Sequence, residues 1–151
     1  MNRVVITGMG AVTPIGNTLE ESWKALKEGK NGIDKITHFD ITEQKCKMGA
    51  EVKDFDYPDK RAARRMDRSS QFAVTAAAEA LLDSGIESGE NVSAERFGIM
   101  AGTGIGGIMT LEEQVTKATK KESVKGVSAL LVPMVISNMI GGNLAMQFKA
   151  K

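Results

Sequence analysis

Four arginines, Arg61, Arg64, Arg65 and Arg68, stand at i, i+3, i+4 and i+7, so a helical segment would carry them as one cationic stripe. Such a stripe serves either as a solvated face with ordinary ion pairs or as a local field for an acidic partner. Nucleic acid is the weaker partner, because no aromatic side chains interleave to stack on bases. Cys46 is the only thiol and His38 the only imidazole. A nucleophilic thiol needs a base or cations beside it. Cys46 instead falls on the apolar side of an alternating run, with Met48, Ala50 and Val52, while Lys47, Gly49, Glu51 and Lys53 take the other side. Cys46 therefore reads as a small buried hydrophobe, and His38, in a loop, as a surface residue.

Two glycine loops invite a phosphate-binding reading that their spacing rejects. After Gly8-Met9-Gly10 the third glycine of a dinucleotide fingerprint would fall at position 13, which is Thr13. Gly102-Thr103-Gly104-Ile105-Gly106-Gly107 is followed by Ile108 and Met109, not by the Lys-Ser or Lys-Thr of a P-loop. A nucleotide-binding oxidoreductase is thereby a distant alternative. Tight turns in which glycine admits positive φ and close backbone approach account for both loops.

Twenty basic against nineteen acidic side chains leave a net charge of +1, so no global field draws the 151 residues to nucleic acid or to an anionic membrane. The hydrophobic share of 42% suits a globular domain with its own core. One cysteine rules out an internal disulfide, and the run from Met1 to Gly8 is too short for a signal peptide, so the cytoplasm is expected. Residues 127–148 carry no charge, but Pro133, Asn138, Asn143, Gln147 and Gly141-Gly142 argue against a membrane span.

These residues must be positioned by alternating elements. Val4 to Met9 reads as a strand buried on both faces of a parallel sheet, ended by Gly10, Pro14 and Gly16. Thr18 and Glu21 stand in capping-box spacing, Leu19, Trp23 and Leu26 share a face, and Gly29 stops a short helix. The alternation from Cys46 predicts a half-buried strand in an antiparallel excursion. Ala-rich Phe72 to Leu82 predicts a central helix ending at Gly85. Phe97 to Ala101 predicts a second buried strand, Met109 to Lys120 a helix, and Pro133 to Met146 a helix apolar nearly all round, with Pro133 at its first position. The fold class is thus α/β. Two sheet strands among three or four helices do not complete a doubly wound sheet, so the expectation is a fragment to which a further strand is owed.

In order and spacing, Arg3-Val4-Val5-Ile6-Thr7-Gly8-Met9-Gly10, Pro14-Ile15-Gly16-Asn17 and Trp23-Lys24-Ala25-Leu26 resemble the opening of the β-ketoacyl-acyl carrier protein synthases. Arg64-Arg65-Met66-Asp67-Arg68, the loop 102–107 and Val132-Pro133-Met134-Val135-Ile136-Ser137-Asn138-Met139 resemble further landmarks of the elongating type, synthase II. The resemblance implies a thiolase-like fold, with residues 1–151 forming the amino-terminal part of its first doubly wound half and no second domain. It implies decarboxylative Claisen condensation of an acyl thioester with malonyl-acyl carrier protein, an obligate homodimer, and no cofactor or metal. The family's nucleophilic cysteine would lie beyond Lys151, so no catalytic residue is expected here. By resemblance, Arg61, Arg64 and Arg65, with Arg68 beside them, dock the acyl carrier protein. Ile105 lines the far end of the acyl pocket, for which core packing is the alternative, and Leu131 reaches a partner's pocket where an aromatic residue often stands. A chain-length-factor-like partner subunit, with the same landmarks and no nucleophile, is the second reading.

Overall fold

A computed structural model describes residues 3–151; Met1 and Asn2, part of the run considered above for a leader, lie outside the described residues. Along the chain run α1 (Leu19–Lys27), β1 (Ile33–Lys35), β2 (Met48–Ala50), α2 (Lys60–Ala63), α3 (Arg68–Ser84), α4 (Ile108–Lys120), α5 (Leu131–Val135) and α6 (Met139–Phe148). The chain divides into two compact units, one of Met1–Asp56 with Thr75–Ser84 and one of Tyr57–Val74 with Gly85–Lys151.

In the first unit α1 starts as its sequence predicts. The Thr18 hydroxyl accepts the Glu21 amide at 3.2 Å, and the Glu21 carboxylate accepts the Asn17 amide at 2.8 Å, one residue before a regular capping box. Gly29, at φ +68°, ends the turn that follows the helix. The buried face, however, is Ser22 and Ala25, while Trp23 and Leu26 are 59% and 60% exposed. Close packing explains the reversal. A Cβ on Gly16 would lie 2.5 Å from the Ser22 amide, and the Ser22 hydroxyl donates to the Gly16 carbonyl at 3.1 Å. Only small side chains fit that contact, so the large apolar ones turn away. The excursion is an antiparallel ribbon, with Ile33 opposite Ala50 and Lys35 opposite Met48, and it is shorter than the alternation from Cys46 suggested. Cys46 is exposed rather than buried, its thiol donating to the Met48 carbonyl at 3.5 Å. Alternation sets which side chains share a face, but burial requires another layer, and Met48 and Ala50 on the same side are exposed as well.

The run from Val4 to Met9 joins no ladder among the described residues, and Val4 and Ile6 are 91% and 83% exposed. Apolar β-branched residues specify extended backbone, but a buried strand also needs a hydrogen-bonded neighbour on each edge. Side chains meet part of its edge instead. Asp83 accepts the Met9 amide at 3.0 Å, and Glu79, one turn earlier on the helix, accepts the Ala11 amide at 2.9 Å. The contact is close enough that a Cβ on Gly8 or Gly10 would collide with the carbonyl of Ala80 or Ala76 respectively, as the close-approach reading of that loop requires.

In the second unit, Phe97 to Ala101 likewise has no ladder partner among the described residues. The predicted helix after the second glycine loop is present as α4. The apolar segment from Pro133 forms two helices rather than one: Pro133 is the third residue of α5, in the first turn where a missing N–H costs nothing, and Ile136 leaves helical conformation at ψ 137° before α6. Ile140 and Leu144 of α6 join Val74 and Tyr57 as buried apolar residues of this unit. The central helix α3, whose residues Thr75–Ser84 belong to the first unit, ends at Gly85, φ +66°, as predicted, but begins earlier than Phe72 because Asp67 caps it, accepting the Ser69 amide at 2.9 Å. No helix among the described residues is long and apolar enough to cross a membrane.

Candidate functional site

The arginine segment is not one helix. Asp59 caps the four-residue α2 by accepting the amides of Arg61 and Ala62 at 2.8 and 3.0 Å, and the chain then turns through Arg64 to Met66 before α3 starts at Arg68. The expected i, i+7 stripe is therefore broken by the Asp67 cap, which competes for the backbone amides that a continuous helix would have used internally. Arg61 on α2 and Arg64 and Arg65 in the turn are all exposed, and none of them forms an ion pair among the described residues. Arg68 departs from them: it is half-buried with its guanidinium 4.9 Å from the centre of the Phe72 ring, a cation–π contact.

The turn is held by side chains that the arginine spacing does not reveal. The Gln71 amide donates to the carbonyls of both Ala63 and Met66, each at 3.1 Å. Asp67, 5% exposed, uses Oδ1 for the Ser69 amide and hydroxyl, and Oδ2 for the Thr110 hydroxyl at 2.6 Å and amide at 3.3 Å. Thr110 lies in the first turn of α4, whose N-cap, Gly107, has no side chain to accept an orphan amide. Asp67 supplies that acceptor from a distance in sequence. The signal available in the sequence is Asp67-Arg68-Ser69-Ser70-Gln71 ahead of an Ala-rich run, an N-cap residue at a helix start.

The glycine loop leads into the same helix. Gly106 sits at φ +85°, and the Gly107 amide donates to the Val135 carbonyl at 3.0 Å. A Cβ at Gly106 or Gly107 would collide with the carbonyl of Val135 or Met134. The loop thus lies directly on the C-terminal half of α5, the helix that Leu131 opens. Ile105 is 69% exposed and Leu131 half-buried. Arginine turn, Asp67 and glycine loop belong to one unit; Cys46 and His38 belong to the other. His38 is on the surface, its Nε2 3.9 Å from Glu51.

The comparison with known proteins gives the class first. The fold matches the ishigamide ketosynthase/chain length factor with TM-score 0.83 at 24% identity, covering 97% of this chain and 37% of that one. It also matches a type II polyketide acyl-carrier protein–ketosynthase complex, AntDE:AntF, with TM-score 0.71 at 23% identity, covering 99% and 39%. This is the thiolase-like fold of the ketosynthases, in part. Residues 1–151 match the profile of the β-ketoacyl synthase N-terminal domain, and the chain belongs to that family. The 3-oxoacyl-[acyl-carrier-protein] synthase 2 of Synechocystis sp. is 46% identical over 152 residues, 99% of this chain. The chain spans 36% of the length of that relative.

Proposed function

We propose that these residues are the amino-terminal part of a 3-oxoacyl-acyl carrier protein synthase of fatty-acid elongation. The observation that carries the reading is 46% identity over 99% of the chain to a synthase 2. In the reaction the acyl group passes from the carrier thiol to a cysteine of the enzyme. Malonyl carrier then loses carbon dioxide, and the resulting carbanion attacks the acyl-enzyme thioester and expels the cysteine thiolate. Cys46 is a poor candidate for that thiol, since it is exposed and donates to a carbonyl rather than to a base. We therefore assign the nucleophile to sequence outside residues 1–151 and expect these residues alone to be inactive.

The chain's own part is recognition. Three exposed guanidiniums on α2 and the turn that follows it, with no ion pair to a carboxylate among the described residues, form a local positive field in a chain of net charge +1 and suit the acidic surface of an acyl carrier protein. Arg61, Arg64 and Arg65 are the docking residues, and Arg68, stacked on Phe72, is peripheral to them. Ile105 and Leu131 line the acyl pocket, and the apolar residues 127–132 join a homodimer in the cytoplasm. The chain-length-factor reading draws on a relative whose 24% identity supports the fold alone, so the enzyme is favoured.

In the full-length protein, reversing both Arg64 and Arg65 to Glu weakens carrier binding by more than about tenfold at low salt, with a smaller effect at high salt. Unchanged affinity removes the docking assignment. Mass spectrometry of the full-length protein after incubation with an acyl thioester separates the two readings: an acyl-cysteine supports the enzyme, and its absence supports the partner subunit.

A further inference from the structure

We propose that Asp67 is a positioning residue that fixes the arginine turn to the start of α4 and the glycine loop, so that carrier recognition depends on a hydrogen bond made on another helix. The inference rests on the docking role of Arg64 and Arg65. Asp67 follows the turn immediately, and its carboxylate is buried with both oxygens occupied. Oδ1 caps α3, which fixes the direction in which the chain leaves the turn. Oδ2 accepts from the hydroxyl and amide of Thr110, which itself is 8% exposed. Gln71 clamps the carbonyls of Ala63 and Met66 from the first turn of the same helix, so a displacement of α3 at its start carries the turn with it.

Packing on the far side closes the arrangement. A Cβ on Gly107 would lie 3.1 Å from the Asp67 Cβ and would collide with the Met134 carbonyl, so the α4 N-cap packs directly against both α5 and Asp67. The arginine side chains are long and exposed, and a partner reads them only where the backbone presents them. One buried charge-assisted hydrogen bond is large enough to set that presentation.

Electrostatics and positioning predict opposite signs. Asp67→Asn removes a negative charge close in sequence to the arginines, and the long-range field alone would tighten binding of an acidic partner. Loss of positioning weakens it, because an amide nitrogen in the Oδ2 place cannot accept from Thr110.

The test uses the full-length protein and measures KM for the acyl carrier substrate separately from kcat, with thermal unfolding as a check on folding. The expected result is a KM raised about tenfold for Asp67→Asn, near the lower end for one hydrogen bond to a charged group, and about threefold for Thr110→Val, which keeps the Thr110 amide as a donor to Asp67. Thr110→Ser, which keeps the hydroxyl, restores KM. The Asp67→Asn, Thr110→Val double variant is no worse than Asp67→Asn alone. A purely structural role would lower the active fraction, and hence kcat, and leave KM in place; that outcome overturns the inference. So does unchanged or lower KM in Asp67→Asn, or a Thr110→Val protein with wild-type KM. If the Arg64→Glu, Arg65→Glu protein binds carrier normally, the docking assignment falls and this inference falls with it. A weakened arginine variant beside an unaffected Asp67 variant sinks this inference alone.

Discussion

Glu79 accepts the amide of Leu19 with both carboxylate oxygens, at 2.8 and 3.1 Å, although sixty residues separate them. Leu19 is the first residue of α1, where the amide has no acceptor within the helix and the helix dipole favours a negative charge. The same carboxylate takes the Ala11 amide at 2.9 Å, so one side chain ties the helix start to the chain leaving the first glycine loop. Glu79→Ala should lower the stability of the full-length protein by about 1–2 kcal/mol, and Glu79→Gln by less, because its amide oxygen still accepts. Chemical denaturation measures both. Equal losses for the two variants would show that charge, not acceptor geometry, dominates.

Gly8 and Gly10 are held to the same helix by absence of a side chain. Each would drive a Cβ into a carbonyl oxygen of the helix, and backbone cannot swing aside as a flexible side chain can. Gly8→Ala or Gly10→Ala should therefore cost about 1–3 kcal/mol or more, the range for overpacking a tight contact. Gly29→Ala is the contrast: its site is open, and its cost comes only from φ +68°, about 1 kcal/mol. Comparing the unfolding midpoints of the three variants checks the ranking.

What the sequence made legible were the features coded by neighbours along the chain. Thr18 and Glu21, Gly29 and Gly85 marked helix ends, and the alternation from Cys46 located one side of a ribbon. The glycine loops were recognisable as sites of close approach, but not what approached them. Features set by distant residues were hidden. Trp23 and Leu26 lost the buried face to Ser22 and Ala25 because Gly16 lies against the helix. The arginine stripe was broken by Asp67, whose carboxylate has partners on both α3 and α4. The apolar runs 4–9 and 97–101 were read as buried strands and join no ladder among the described residues, because a ladder belongs to a pair of segments and no periodicity within one of them supplies its neighbour.

Acid should loosen the ribbon and the loop beside it. The Glu51 carboxyl is held below its ordinary range, chiefly by the Thr37 hydroxyl, with the Thr37 and His38 amides adding to this against the opposing effect of desolvation. Asp34 is lowered first by its hydrogen bond with Lys53, at 2.6 Å. Groups whose folded pKa lies below the unfolded one stabilise the fold fully above the unfolded value, about 4, and lose that contribution as pH falls through the lowered folded value. The Thr37 amide resonance in the full-length protein should therefore follow the Glu51 carboxyl with an acid midpoint below that of a free glutamate. A midpoint at or above that of a free glutamate would contradict the assignment. Glu51→Gln should abolish the acid transition at Thr37.

Ile105 offers the sharpest reading of the proposed acyl pocket, because the backbone on its C-terminal side is fixed. Gly106 at φ +85° and the Gly107 amide on the Val135 carbonyl leave the loop little freedom to retreat from a larger side chain. Ile105 itself is exposed in this chain, so a bulkier residue there displaces none of the core formed by residues 3–151. In the complete enzyme Ile105→Phe should shorten the pocket and exclude the longest acyl groups. Losing room for two methylenes, one round of elongation, forfeits about 1.6 kcal/mol of burial, or about a tenfold fall in kcat/KM for the longest substrate relative to a short one. Product chain lengths by mass spectrometry, with kcat/KM across a series of acyl carrier substrates, give the comparison. A uniform fall at every length would assign Ile105 to packing, whereas a fall confined to long chains, with short-chain turnover retained, places it at the end of the pocket.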